Sequence, residues 1–297
     1  MVCRARDLFT GQNPDDPAEL EAEWITLGMQ PGAVAQTITA SRRANELAAL
    51  AGRRVGGPLR NGVAETMPEE PENSTLLYRI IDDLAGGAFL AMAAWQSWLA
   101  GGIRAFNQAI GQPSLMDMKM EGMCVSYRPG SPALLPDGRQ NEDFAYRSIG
   151  PFAGVSPDAH AWHPLLTTDG PNEGRLRYMD VWRDEGAVQV RFGFQDSSAM
   201  PGTALRRLFH EYTGRAVIDP ETMVLKAIDM EFGSLPFTTC HAAAVTPQAL
   251  VGQSVRDFRQ AVIAVLPGIT GCTHLNDSLR TLQDVPALVE LLDQQGG

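Results

Sequence analysis

Residues 175–196 read RLRYMDVWRDEGAVQVRFGFQD, and this stretch decides the fold. Apolar and polar residues alternate on both sides of Asp184-Glu185-Gly186, the period of two expected of half-buried strands. With 175–183 and 187–196 as strands, the sequence predicts a three-residue hairpin loop with glycine at its left-handed position. That register puts Leu176, Tyr178, Asp180 and Trp182 on one face with Val188, Val190, Phe192 and Phe194. A second hairpin is predicted to join 208–219 to 222–232 through Pro220-Glu221. Its inner face would carry Leu208, His210, Tyr212, Ala216 and Ile218, with Met223, Leu225, Ala227 and Asp229 across from them. Two adjacent hairpins make an antiparallel sheet.

Downstream of the sheet the period changes to that of helices. Thr246-Pro247 reads as an N-cap followed by proline at the first helical position, and Pro267-Gly268 as the stop. A second helix is expected from about Thr273 and a short third one over 287–292. Strands first and helices afterwards predict an α+β domain, with helices packed on an antiparallel sheet. Upstream, residues 1–72 are rich in Pro, Gly, Ala and charge. They read as an irregular, partly helical arm, with helix over 37–50 and a polar loop over 55–74. Asn73-Ser74 is expected to cap a helix from Leu76, so the single α+β domain is drawn over 73–297. Met116, Met118 and Met120 alternate with charged residues and predict a strand over 116–127.

The totals bound the partners. A net charge of −11 argues against nucleic acid or an anionic membrane surface, both of which select for Lys and Arg clusters. Residues 84–103 lack charge but hold four glycines and mostly alanine. They are expected to form a core helix broken at Gly101-Gly102 rather than a membrane span. No apolar segment separates Arg4 and Arg6 from Asp15-Asp16, so no signal peptide is expected. Four scattered cysteines suit reduced thiols in a cytoplasm better than a disulfide scaffold. No Gly-x-Gly-x-x-Gly and no Walker loop is present, so no nucleotide cofactor is expected. A homodimer is the default assembly.

A set of short motifs marks the C-terminal third: His210-Glu211-Tyr212, Leu235-Pro236-Phe237 before Cys240, Leu250-Val251-Gly252, and Gly271-Cys272-Thr273-His274-Leu275. From about His210 to Leu282 the chain resembles the bacterial family called domain of unknown function 2889, and more weakly back to about Leu76. The resemblance implies relatives and a shared fold unit. It implies no activity.

Three groupings could carry chemistry. The predicted registers set Asp180, Asp196, His210, Tyr212 and Asp229 on apolar faces, where a polar group must find a partner or cost stability. Tyr212 would face Asp229, and His210 would face Glu231. On this reading His210 is a general base, Tyr212 an acid or oxyanion donor, and Asp180 or Asp229 the carboxylate that orients the imidazole. Arg191 or Arg215 would hold a substrate anion, in a pocket walled by Trp182, Phe192 and Phe194. The same residues also make sense as a satisfied buried network. Cys240-His241 and Cys272-Thr273-His274 supply zinc-type ligands at spacings unlike a zinc finger, so no metal is the primary expectation, with these four as ligands if one is bound. Cys272 could be a nucleophile at a helix start, although His274, two residues on, is expected to point elsewhere.

The expected function is a cofactor-independent acid–base lyase, hydratase or isomerase acting on a small apolar or aromatic molecule. Elimination of formaldehyde from a lignin-type aromatic is one form of that chemistry. A metal-dependent lyase or hydrolase and a non-catalytic binding or assembly subunit are the alternatives.

Overall fold

The computed structural model describes residues 1–30, 32–91, 93–112, 117–145, 148–151, 158, 160–165 and 169–296. The chain divides into two compact units, one of residues 1–92 with 294–296 and one of residues 93–293. The boundary expected at residue 72 therefore falls inside the first unit.

That first unit is not an irregular arm. Strands β1 (Val2–Phe9), β2 (Ala18–Gln30) and β3 (Val34–Ala40) form an antiparallel sheet in that order. Helices α1 (Ala44–Ala48), α2 (Gly57–Thr66), α3 (Glu69–Glu72) and α4 (Leu76–Leu90) follow. Ile25, Leu27 and Ile38 of the sheet bury against Leu77, Ile81 and Leu84 of α4. The helix expected over 37–50 is a strand as far as Ala40, where Thr37 and Thr39 stand outward and Ile38 inward. Thr75, rather than Asn73 or Ser74, caps α4 by accepting from the Tyr78 N–H.

The helix expected near residues 84–103 is already interrupted after Leu90, and α5 (Gly102–Ala109), in the second unit, begins beyond Gly101 at φ +84°. Among the described residues no helix is long and apolar enough to cross a membrane. The strand expected over 116–127 does not form. Met116 lies outside the described residues, Lys119 makes a lone bridge to Arg139, and Val125–Tyr127 is a single 310 turn.

The main sheet holds β4 (Ser148–Pro151), β5 (Glu173–Asp184), β6 (Ala187–Ala199), β7 (Leu205–Ile218) and β8 (Leu225–Phe232). Its order is β4-β7-β6-β5, with β8 pairing the other half of β7, all antiparallel. The fold class is α+β as expected, but both hairpin registers differ from the sequence reading. Asp184 pairs with Ala187, so the first loop is the two residues Glu185 (φ +49°) and Gly186 (φ +75°). Two positive φ values in succession define the I′ turn, whose twist matches the strands. One residue fewer in the loop turns β5 over. Arg175, Arg177, Met179 and Val181 face the core beside Asp196, Phe194, Phe192 and Val190, whereas Leu176, Tyr178, Asp180 and Trp182 stand on the opposite face. In the second hairpin Tyr212 pairs with Phe232 and Arg215 with Asp229, because the loop runs over 219–224 rather than Pro220-Glu221 alone and a bulge lies between Val217 and Ile218.

The inner face is closed by α6 (Phe258–Val265), α7 (Thr273–Leu279) and α8 (Val285–Gln294). Phe258, Val262, Leu275, Leu279, Leu282, Val285 and Val289 share one buried core with Phe192, Phe194, Tyr212 and Ile228. The expected long helix from Thr246 is broken into 310 turns at Thr246–Leu250 and Val255–Asp257 before α6.

Candidate functional site

A chain of polar groups crosses the inner face where apolar packing would otherwise be continuous. Asp196 of β6 and His210 of β7 are direct cross-strand partners. Asp196 is wholly buried, and it accepts from Arg175 Nε at 2.7 Å and Arg175 Nη2 at 2.9 Å. His210 Nδ1 lies 3.1 Å from the same carboxylate, and beside an acceptor-only anion it is Nδ1 that carries the shared proton. Burial alone would raise the Asp196 pKa, but the Arg175 charge and the hydrogen bonds from His210 and Arg175 outweigh it and hold it at about 2.

Helix α7 brings the second half. The His274 ring stacks on His210 at 3.6 Å between centroids and 21° between planes. Burial, then the adjacent His210, push the His274 pKa down. His274 also hydrogen-bonds to the Cys272 thiol. Tyr212 Oη lies 3.5 Å from Cys272 Sγ, and burial followed by the neighbouring Cys272 keeps this phenol protonated far above neutrality. Burial works against ionisation of Cys272, yet the His274 hydrogen bond and charge, with Tyr212, win and bring the thiol to about 7. At a pKa of about 7, thiolate and thiol exist in comparable amounts at neutral pH. Cys272, His210 and Tyr212 are buried, and His274 as a residue is of intermediate exposure.

The frame under the cluster is ionic. Asp277 of α7 accepts from Arg175 at 2.6 Å and Arg177 at 3.3 Å, and pairs with Arg280. Burial raises its pKa, and Arg177, Arg175 and Arg280 more than reverse this and carry it well below the carboxylate range. Arg175 thus ties β5 to both Asp196 and α7, and its guanidinium also lies 4.9 Å from the Phe194 ring centroid.

The structure sorts the sequence candidates by face. His210, Tyr212, Phe192 and Phe194 lie on the inner face with Cys272 and His274. Asp180, Asp229, Arg191, Arg215 and Trp182 lie on the outer face. Neither Asp180 nor Asp229 can orient His210, because the sheet stands between them. That correction follows from the two registers. Arg191 is instead bound to Asp180 at 2.7 and 2.9 Å. Arg175 is absent from the sequence candidates, and Asp277, close to Cys272 and His274 in sequence, binds Arg175 and Arg177. Reading the first loop as two residues would have put Arg175 beside Asp196. His274 was expected to point away from Cys272 but meets it, since both side chains turn in toward β7.

The four possible metal ligands do not assemble. His241 is exposed, with its Nδ1 against the Thr238 carbonyl at 3.2 Å. Cys240 is buried, and burial lifts its pKa to about 12. Among the described residues no three His, Cys, Asp or Glu side chains converge as a metal ligand set.

No curated protein and no solved structure matches the chain. Residues 174–288, which span the sheet strands β5 to β8, the Asp196–His210 pair and the Cys272–His274 pair, match the model of a family described as Protein of unknown function (DUF2889).

Proposed function

We propose that this protein is an acid–base enzyme of the lyase, hydratase or isomerase kind, acting on a small molecule from which a proton must be removed. The observation that supports it is a thiol at about 7 in hydrogen-bond contact with His274 and Tyr212, backed by a second imidazole on a buried carboxylate. A group that titrates at the working pH is the most effective general base, worth roughly 10²–10⁴ in rate. In this reading Cys272 takes the proton as the thiolate. His274 passes it on, and the Asp196 carboxylate, paired with His210 and Arg175, stabilises the imidazole when it becomes charged. Tyr212 stays protonated and donates to whichever oxygen or sulfur carries the developing negative charge. The net charge of −11 supports a small molecule over nucleic acid as ligand.

A second reading has specific support in the Cys272–His274 hydrogen bond: the thiolate attacks an electrophilic carbon and forms a covalent intermediate. Both readings are tested in heavy water against small carbonyl, phenolic and β-hydroxy compounds, with proton NMR following deuterium uptake and release of fragments such as formaldehyde. Turnover by the native protein should fall about 100-fold or more in folded His274→Gln, and unchanged turnover there would sink the acid–base reading. Intact-mass detection of an adduct on Cys272 during turnover would favour the covalent one.

A further inference from the structure

The outer face of the main sheet carries a second feature that the inner cluster does not use. Four residues form one row across four strands: Asp180 on β5 pairs with Arg191 on β6, Arg191 with Arg215 on β7, and Arg215 with Asp229 on β8. The charges run minus, plus, plus, minus. Like charges directly opposite one another destabilise a sheet, and only one of the two guanidiniums is neutralised, by the two-nitrogen contact of Arg191 with Asp180. Arg215 is exposed, and among the described residues it makes no hydrogen bond or ion pair, although a carboxylate is its cross-strand neighbour.

The row opens into a concavity of about 140 Å³ whose lining includes Tyr178, Arg191, Thr213, Arg215, Asp229 and Glu231. Its floor depends on Gly193, where a Cβ would sit 2.5 Å from the Tyr212 carbonyl oxygen and 2.9 Å from the Tyr178 ring. The missing side chain lets Tyr178 lie over β6 as a wall, and Trp162 holds that ring edge-on at 5.3 Å. Positive charge thus stands on one side of the hollow and negative charge on the other.

We propose that this concavity binds a small zwitterion, a molecule with a carboxylate and an ammonium a few bonds apart as in α-amino acids, with Arg191 and Arg215 taking the carboxylate and Asp229 and Glu231 the ammonium. A dianion would be repelled by Asp229 and Glu231, and a simple cation by the two arginines, so the charge pattern selects a ligand with both signs. Tyr178 and Thr213 contact whatever side group the ligand carries. The site is independent of the Cys272 cluster, which lies across the sheet.

The test titrates the full-length, nitrogen-15-labelled protein with the common α-amino acids, and with propionate and ethylammonium as half-ligands, reading backbone amide shifts. At least one amino acid should give saturable shifts at Gly193, Thr213, Gly214 and Arg215, and bind about tenfold or more tighter than either half-ligand. Arg215→Gln, a change at an exposed and unpaired side chain, should weaken that binding about tenfold. Asp229→Asn combined with Glu231→Gln should abolish the preference over propionate. Propionate binding as tightly as every amino acid would overturn the zwitterion assignment in favour of a plain anion site. Absence of saturable shifts in this region at tens of millimolar would show an ordinary solvated sheet face.

Discussion

Two buried acids on the inner face titrate in opposite directions, and each direction makes a prediction. Cys272 ionises early because His274 and Tyr212 donate to its sulfur in spite of burial. In protein labelled with carbon-13 at cysteine Cβ, the Cys272 resonance should titrate near 7. In His274→Gln the midpoint should move up past the ordinary thiol value, because burial then acts with less opposition. A midpoint unchanged in that variant would remove His274 as the cause. Glu173 is the reverse case: burial, then the neighbouring Asp196, raise it to about 9, and its Oε2 is buried without a hydrogen-bond partner. A folded pKa above the unfolded value means that the folded state holds the extra proton. The stability this gives is complete below 4.5 and declines as pH rises toward 9. Glu173→Gln should therefore flatten that decline and be the more stable protein at about pH 8, by roughly 1–2 kcal/mol in urea unfolding. Equal pH slopes for the two proteins would contradict it. At this scale the sequence showed His210 and Tyr212 on the buried side of β7, since alternation alone decides that. The partners of His210 depended on a neighbouring strand's register, which alternation within one strand does not contain.

At the scale of elements, the hairpin turn is where the sequence reading and the structure part. Asp-Glu-Gly fits a three-residue loop ending in a left-handed glycine, or a two-residue I′ turn with Glu185 and Gly186 both at positive φ. The sequence around the turn does not distinguish them, because Arg177 and Met179 fit a core face only once Asp277 and the Phe194 ring are known to receive the arginine. The strands themselves, and the antiparallel pairing, were legible from period and turn chemistry. Gly186→Ala should cost about 1 kcal/mol, the strain of a Cβ at φ +75°. Gly214→Ala should cost about 1–3 kcal/mol for a different reason, since its Cβ would meet Phe192 Cζ at 2.5 Å and Met230 Sδ at 2.6 Å. Denaturant midpoints at constant slope would measure both. A Gly214→Ala protein as stable as the native one would mean that the Phe192 ring is not packed as described.

On the scale of the whole molecule, the first unit was the least legible part, and its interior explains why. Glu23 and Glu70 are buried there, bound by Arg42 from outside the sheet, with Thr75 and Arg43 completing the shell of Glu70. In β2 the exposed Glu19 and Glu21 run on into the buried Glu23, which takes a core position and hides the apolar alternation of Ile25 and Leu27, so β2 reads as a charged run. The bulge at Gly28/Met29 shifts the phase of what remains. The second unit keeps a separate core: the buried cluster from Cys124 to Val289 shares no residue with the cluster from Ile25 to Leu84. The family match over 174–288 also falls wholly inside the second unit. A segment of about this size buries enough apolar surface to fold alone. A truncated protein beginning at residue 93 should therefore unfold cooperatively and keep the Cys272 titration near 7, because every donor to that thiol lies within it. Near-ultraviolet circular dichroism and the carbon-13 cysteine spectrum would check this. A truncated protein with native-like helix content but no tertiary signal would mean that the Cys272 site needs the first unit in order to form.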